Sequence, residues 1–286
     1  MNPKRLPESD YHSVQQALIN FYNIRPDEYG LLERSQAVYE EYAKNINKIA
    51  KKTSSVLDIG SGSWRIPDEI AKYGYPEVVG LDYFSPKKLQ EYSKQIQNKN
   101  ARLVSYQDSN IPFQSNSFDV ISSLCVVEHI IYVNEFFNEV DRVLKPGGHL
   151  IISCPNWSSP LPMITGLITT LFKKDRFWQI YKPIEAISGL FRSIFWYLEN
   201  LVSSKPKFIM IYPKMKDGKI NFERSDDDAV HLCQPLSIKK FFKQKNYEII
   251  HYNRGFGSTK FTFLFNWLFP SFASTNFLVF KKSEKQ

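Results

Sequence analysis

The chain has 286 residues, a formal net charge of +8, 43% hydrophobic residues and 23% charged residues. That length supports one large domain, or one domain with an elaboration, and the composition excludes both a disordered chain and a membrane bundle. Cys125, Cys154 and Cys233 lie far apart with no Cys-x-x-Cys pair, which excludes a disulfide scaffold and a zinc ribbon.

The first sixteen residues contain no apolar stretch of a secretory signal, so a reducing, cytoplasmic compartment is expected. The spacing of apolar residues predicts helices over 10–22 and 31–51. Residues 55–60 form a short apolar run ending in glycine, which reads as a buried strand. A helix over 65–73, a strand over 77–82 and a helix over 86–97 follow. Strands are then expected at 101–105, 118–122 and 149–153. A helix over 133–144 stops at the Lys145–Gly148 run. Strands alternating with helices imply a parallel sheet covered on both faces.

The alternation resumes only with a helix over 236–245 and strands at 247–253 and 276–281. Four segments result: an N-terminal helical lead (1–52), a nucleotide-binding core (53–156), an insertion (157–232) and closing elements of the core (233–286). The charge divides near the same point. Residues 1–156 hold 17 Lys+Arg against 19 Asp+Glu, whereas 157–286 hold 20 against 10. The insertion carries apolar stripes at helical spacing from Met163 to Phe172 and from Leu190 to Val202. Neither offers the roughly 20 apolar residues of a membrane span.

The loop from Asp58 through Gly60 and Gly62 to Ser63 lies between a strand and a helix. Glycines there allow a tight turn and close approach of a ligand to the backbone. The third glycine of a dinucleotide fingerprint is replaced by Arg65, and no P-loop lysine follows, so NAD and nucleoside triphosphates are disfavoured. Asp58 suits a ligand with a cationic amino-acid head. Asp82, at the end of the second strand, can accept from vicinal ribose hydroxyls. Asp108 can accept from an exocyclic amine, with Ile111 as a wall.

Together, the runs Val56–Ser63, Val78–Asp82, Gln107–Phe113, Ser117–Ile121, Val127–Ile130, Asp141–Gly148 and Ser153–Asn156 resemble the class I S-adenosylmethionine-dependent methyltransferases. The likeness is greatest to the small-molecule and ubiquinone-type members. The resemblance covers roughly 55–156 and resumes at about 231–281. It implies a Rossmann-like α/β fold: a seven-stranded, mostly parallel sheet with an antiparallel last strand, here with an inserted α-helical cap. It implies S-adenosylmethionine as cofactor, with Asp58, Gly60 and Gly62 along the methionine part, Asp82 at the ribose and Asp108 and Ser109 at the adenine. Leu124 and Cys125 would stand beside the sulfonium. Trp64 replaces a glycine of many members and is expected to crowd the loop.

Methyl transfer to a hydroxyl needs a base. His129, following Glu128 past the fourth strand, is the first candidate, with an ordinary pKa near 6.5 suited to neutral pH. His231 is the second, because the resemblance implies that a histidine before the helix over 236–245 faces the acceptor pocket. Asp226–Asp228 reads as a solvated acidic turn. Where some ubiquinone-type members place a further glutamate as a metal ligand, Cys125 stands here, so no metal is expected.

The expected acceptor is a small or lipid-linked molecule, and the chain is expected to be a monomer or homodimer. Residues 157–220 hold ten Lys+Arg, four Asp+Glu and eleven aromatics. They read first as a cap over the acceptor pocket, then as a peripheral membrane contact. Nucleic acid is disfavoured as a partner, because the Asn/Asp-Pro-Pro-aromatic motif of base methylation is missing after the fourth strand. The alternatives are a non-catalytic cofactor-binding regulator, favoured by Trp64, and an RNA methyltransferase.

Overall fold

The structure, a computed structural model, describes residues 4–24, 36–106, 110–164, 167, 183–222, 226–253 and 260–284. Helix α1 (Tyr11–Ile24) and helix α2 (Gln36–Ile49) precede the sheet. Strands β1 (Ser55–Ile59), β2 (Glu77–Asp82), β3 (Ala101–Ser105) and β4 (Phe118–Leu124) follow. Helices α3 (Arg65–Ala71) and α4 (Pro86–Ser93) connect the first three strands, and α5 (Val133–Val143) runs into β5 (Leu144–Pro155).

Beyond β5 come α6 (Pro183–Val202), a hairpin of β6 (Met215–Lys216) and β7 (Lys219–Ile220), α7 (Pro235–Gln244) and β8 (Tyr247–Tyr252). Helix α8 (Lys260–Leu268) and β9 (Thr275–Lys282) complete the described elements. The sheet order is β3-β2-β1-β4-β5-β9-β8, and β9 runs antiparallel to both neighbours. The seven-stranded Rossmann-like arrangement expected from the sequence is therefore present. No described helix is long and apolar enough to cross a membrane.

The period of two along each strand divides the core into two layers. Leu57, Ile59, Val79, Leu81 and Ile121 face one layer, with Phe137 of α5 and Phe242 of α7. Val56, Val78, Val120 and Ile151 face the other, with Tyr42 and Ile46 of α2 and Ile70 of α3. Helix α5 buries Val133, Phe136, Phe137, Val140 and Val143, a stripe at three- and four-residue spacing.

Two expectations about segments change. The Lys145–Gly148 run is not a loop after the helix. It lies inside β5, which starts at Leu144 opposite Phe118; the register then shifts, the extra residues of β5 bulging before His149 pairs with Val120. Gly148 fits because a Cβ there would stand 2.8 Å from Leu144 Cδ1 and 2.8 Å from the Lys145 carbonyl oxygen. The second expectation concerned the apolar stripe of the insertion. In α6 it points outward: Phe191, Phe195 and Val202 are 69%, 62% and 83% exposed. The inward face is Gly189, Ser193, Trp196 and Asn200, four residues recurring every three to four positions. Asn200 accepts from Lys207 N and Ser237 Oγ and donates to the Lys207 carbonyl. These hydrogen bonds, together with Trp196 packed against Ile209, Ile211 and Leu232, seat this helix. Of the earlier stripe, Ile168, Leu171 and Phe172 lie outside the described residues.

The central antiparallel strand is anchored by a buried charge. Lys282, 3% exposed, lies 3.2 Å from Asp141 Oδ1 and donates to the carbonyls of Asp141 and Leu144. Tyr247 of β8 donates to the same carboxylate at 2.8 Å. Removing one partner of such a pair strands the other in a dry interior, at a cost of about 3–5 kcal/mol. Asp141→Ala is expected to lose that much stability in urea unfolding. A loss below about 1 kcal/mol, the scale of an exposed pair, would contradict this assignment.

Candidate active site at the carboxyl edge of the sheet

Open α/β sheets bind ligands beyond the carboxyl ends of their strands, where the loops leave a crevice. A cavity of about 270 Å³ lies there. The sheet contributes Gly60 and Gly62 after β1, Asp82 and Tyr83 at β2, Tyr106 after β3, and Cys125, Val126 and His129 after β4. Helix α1 contributes Gln15, Leu18, Ile19 and Tyr22, and the start of α5 contributes Tyr132, Glu135 and Phe136.

The glycine loop is shaped by two left-handed residues, Gly60 (φ 74°) and Gly62 (φ 66°). Side chains rarely tolerate this region. A Cβ on Gly60 would meet Val126 Cγ2 at 2.0 Å, whereas one on Gly62 would meet nothing within 4 Å. The Gly60 N–H donates to the Leu81 carbonyl at 2.7 Å, and the Gly62 N–H donates to Asp82 Oδ2 at 2.6 Å. The Tyr83 N–H fixes the other oxygen of Asp82 at 2.6 Å. Burial pushes the Asp82 pKa up, and these two N–H groups oppose it. Beside this oriented carboxylate, the rings of Tyr83 and Tyr106 stack with centroids 4.6 Å apart. Open space over a glycine, an aimed carboxylate and flat aromatic surface together fit a nucleoside.

Trp64 does not crowd the loop. It precedes α3 in right-handed backbone (φ −72°), so no glycine is required there, and it does not line the cavity. Asp58 also stands elsewhere than expected. The strand's parity turns it toward the layer of Val56 and Tyr42, fully buried behind the loop. Its Oδ1 accepts from Ser122 at 2.7 Å, while Oδ2 has no hydrogen-bond partner. Burial pushes its pKa up to about 7 against that bond. Leu124 packs on the same core layer, and its neighbour Cys125, in left-handed backbone (φ 56°), reaches the cavity. Asp108 and Ser109 lie outside the described residues.

Past β4, Val127–His129 form a single helical turn that brings an acidic cluster together. His129 Nδ1 lies 3.2 Å from Asp228 Oδ2, and Nε2 lies 3.9 Å from Glu128 Oε1. Tyr22 of α1 donates to the same Asp228 oxygen at 2.8 Å. Burial alone lowers the pKa of an imidazole, but the Asp228 carboxylate, aided by Glu128 and Asp226, overcomes it and raises His129 to about 9. His129 is therefore protonated at neutral pH, contrary to the unperturbed value expected from sequence. Burial pushes Glu128 up to about 7, opposed first by His129. The acidic turn is not solvated: Asp227 is 2% exposed and Asp228 is fully buried.

His231 is buried outside the cavity lining, with Nδ1 3.2 Å from the Val127 carbonyl and its ring edge-on to Phe208. Burial lowers its pKa to about 4. Its main chain serves the site instead: the N–H groups of Val230 and His231 donate to the Glu128 carbonyl at 2.7 and 2.9 Å. This pairing brings Asp228 to His129. Sequence reasoning missed Tyr22, Tyr83, Tyr106 and Asp228. Tyr83 alone carried a usable signal, an aromatic residue directly after Asp82.

Residues 57–152 match the model of a methyltransferase domain family. Over 140 residues the chain is 28% identical to the ubiquinone biosynthesis O-methyltransferase, mitochondrial, of Dictyostelium discoideum, covering 44% of this chain and 43% of that protein. Over 100 residues it is 34% identical to the demethylmenaquinone methyltransferase of Tropheryma whipplei, strain Twist, covering 34% and 40%. The chain thus spans about two fifths of the length of these curated relatives. Among solved structures, an S-adenosylmethionine dependent methyltransferase from Mesorhizobium loti is similar with a TM-score of 0.50 at 14% identity, covering 85% of this chain and 98% of that one. The 1,6-didemethyltoxoflavin-N1-methyltransferase of Burkholderia thailandensis, with bound 1,6-didemethyltoxoflavin and S-adenosylhomocysteine, is similar with a TM-score of 0.52 at 11% identity, covering 98% and 94%. These likenesses are of fold.

Proposed function

We propose that this chain, a member of the class I S-adenosylmethionine-dependent methyltransferase family, transfers a methyl group to a hydroxyl of a small or lipid-linked acceptor. The observation that carries the reading is one cavity lined both by Asp82, held by two N–H groups, and by His129, paired with Asp228. Gly60, Gly62, Asp82, Tyr83 and Tyr106 would hold the cofactor, with Cys125 at its reactive part and Asp108 and Ser109 at the adenine. When bound, S-adenosylmethionine supplies a methyl group already activated by its sulfonium.

The protein's share is alignment and proton handling. Positioning of reactants is worth about 7–11 kcal/mol in favourable cases. Asp228 and the Tyr22 hydroxyl fix the orientation of His129, whose neutral form can take the acceptor's proton. A base with a pKa of about 9 matches a phenolic hydroxyl, whose own pKa is about 10. Leu18, Ile19, Ile130, Ile131 and Phe136 give the acceptor an apolar wall. Quinol-like acceptors agree with both features and with the names of the two curated relatives.

The lipid-linked form of the reading is supported by the outward apolar face of α6 and by Phe263, Leu264, Trp267 and Leu268 of α8, each about half exposed. Tyr197 of α6 touches Phe272, just after α8, so the two exposed faces belong to adjoining elements. The basic surplus of 157–286 complements an anionic bilayer. Labelled S-adenosylmethionine incubated with separate lipid and soluble extracts tests both parts. Label is expected in a lipid-extractable hydroxyl compound, together with sedimentation of the protein on phosphatidylglycerol vesicles. Label confined to soluble metabolites would remove the lipid-linked acceptor. Failure to bind S-adenosylhomocysteine in calorimetry would remove the methyltransferase reading itself.

A further inference from the structure

The three cysteines are 29 and 79 residues apart in sequence, yet two of them converge below the cavity floor. Cys154 ends β5, and Cys233 precedes α7; both are fully buried. Their sulfurs and a carboxylate oxygen of Glu128 all lie within 4.8 Å of one another. Glu128 is itself fully buried; its charged neighbour is His129, with Nε2 3.9 Å from Oε1, and the Cys125 thiol stands beside it. A carboxylate held in a dry interior is costly, and its commonest remedies are a proton or a cation.

We infer that Glu128, Cys154 and Cys233 form a binding site for a zinc ion that ties the β4 loop, the end of β5 and the 226–234 segment together. Zinc is bound by thiolates at roughly 2.3 Å and carboxylates at roughly 2.0–2.2 Å. Ligand atoms around such an ion stand less than about 4 Å apart, so the observed set needs only a small contraction. Two sulfurs favour a borderline-soft metal over magnesium or calcium. The surroundings already orient the sulfurs. Asn276 Nδ2 donates to Cys154 Sγ at 3.6 Å and to the Cys233 carbonyl at 2.6 Å. His231 Nδ1 lies 3.5 Å from Cys233 Sγ, a neutral ring flanking the set. Binding replaces the two thiol protons, which pass to solvent. Cys125 is not among the three ligands and faces the cavity instead. The site departs from the expectation of no metal because the convergence of Cys154 and Cys233 is a product of the fold, invisible in their spacing.

The test is elemental analysis of the full chain purified from zinc-supplemented cells without chelator. About one zinc per chain is expected, as for a single site with three protein ligands and one open position. Cys154→Ser and Cys233→Ser are expected to lose at least nine tenths of it, and Cys125→Ser to keep it. Circular dichroism checks that each variant is folded. If the two serine variants do not fold, the unaltered chain decides alone: grown on cobalt, it should show thiolate-to-cobalt charge-transfer absorption with tetrahedral d–d bands. Zinc-free protein lacking that absorption overturns the site. So does a Cys154–Cys233 disulfide found by mass spectrometry, or metal retained when both cysteines are replaced. None of these readouts depends on methyl transfer.

Discussion

Replacing His129 by alanine is expected to lower kcat for a hydroxyl acceptor by about 10²–10⁴, the usual worth of a positioned acid or base. The affinity for S-adenosylhomocysteine should change little, because Gly60, Gly62, Asp82, Tyr83 and Tyr106 stand on other loops and, of the groups assigned to the cofactor, only Cys125 shares the loop of His129. The pH profile gives the sharper test. The neutral imidazole is the active form, and the pKa of His129 is about 9. The rate should therefore rise about tenfold per pH unit from 7 toward 9, then level off. Asp228→Asn removes the charge that most favours the imidazolium, so the midpoint should move to lower pH. A rate that falls through the same window would mean that the cation, rather than the base, serves the reaction. An unchanged profile in His129→Ala would end the assignment.

Gly60→Ala is expected to weaken cofactor binding severely, whereas Gly62→Ala should weaken it modestly. Both residues are left-handed, so each alanine pays about 1–2 kcal/mol of backbone strain. Only at Gly60 does the new methyl collide with a neighbour, the half-buried Val126, Cγ2 at 2.0 Å. Overpacking adds about 1–3 kcal/mol. Val126 adjoins Cys125 and the His129 turn, so relief of the clash displaces the second half of the site as well. Calorimetric titration with S-adenosylhomocysteine should show a loss of well over about 30-fold for Gly60→Ala and of about 5- to 30-fold for Gly62→Ala, since each 1.4 kcal/mol is a factor of ten. Equal losses would show that the contact with Val126 has no part in shaping the loop.

The sheet was legible in the sequence because its central strands are buried on both faces. Runs such as Val56–Ile59 and Val78–Leu81 have no alternation to obscure, and glycine or aspartate closes each one. The cofactor side of the site was legible for the same reason, since Gly60, Gly62 and Asp82 sit at strand ends. The chemistry of His129 was not. Its pKa is set by Asp228, 99 residues away in sequence, and nothing local announces that pairing. Asp226–Asp228 reads as a solvated turn from composition, and only the backbone bonds from Val230 and His231 to Glu128 carry it inward. Helix α6 misled in another way. Hydrophobic periodicity locates a helix but does not say which face is inside. Here Asn200 and Ser193 point inward while Phe191 and Phe195 do not.

The position of β9 bears on how the chain folds. It lies between β5 and β8, yet it is the last of the sheet strands to leave the ribosome. Until residues 275–282 emerge, β5 presents an edge of unpaired N–H and C=O groups, and β8 has no strand to join. The half-built sheet β3-β2-β1-β4-β5 must therefore wait with Leu150 and Ile152 uncovered on one side, in a form prone to pairing with other chains. Closure then depends on contacts of high sequence separation, a topology that folds slowly. Lys282, reaching back to Asp141, acts as the latch of that final step.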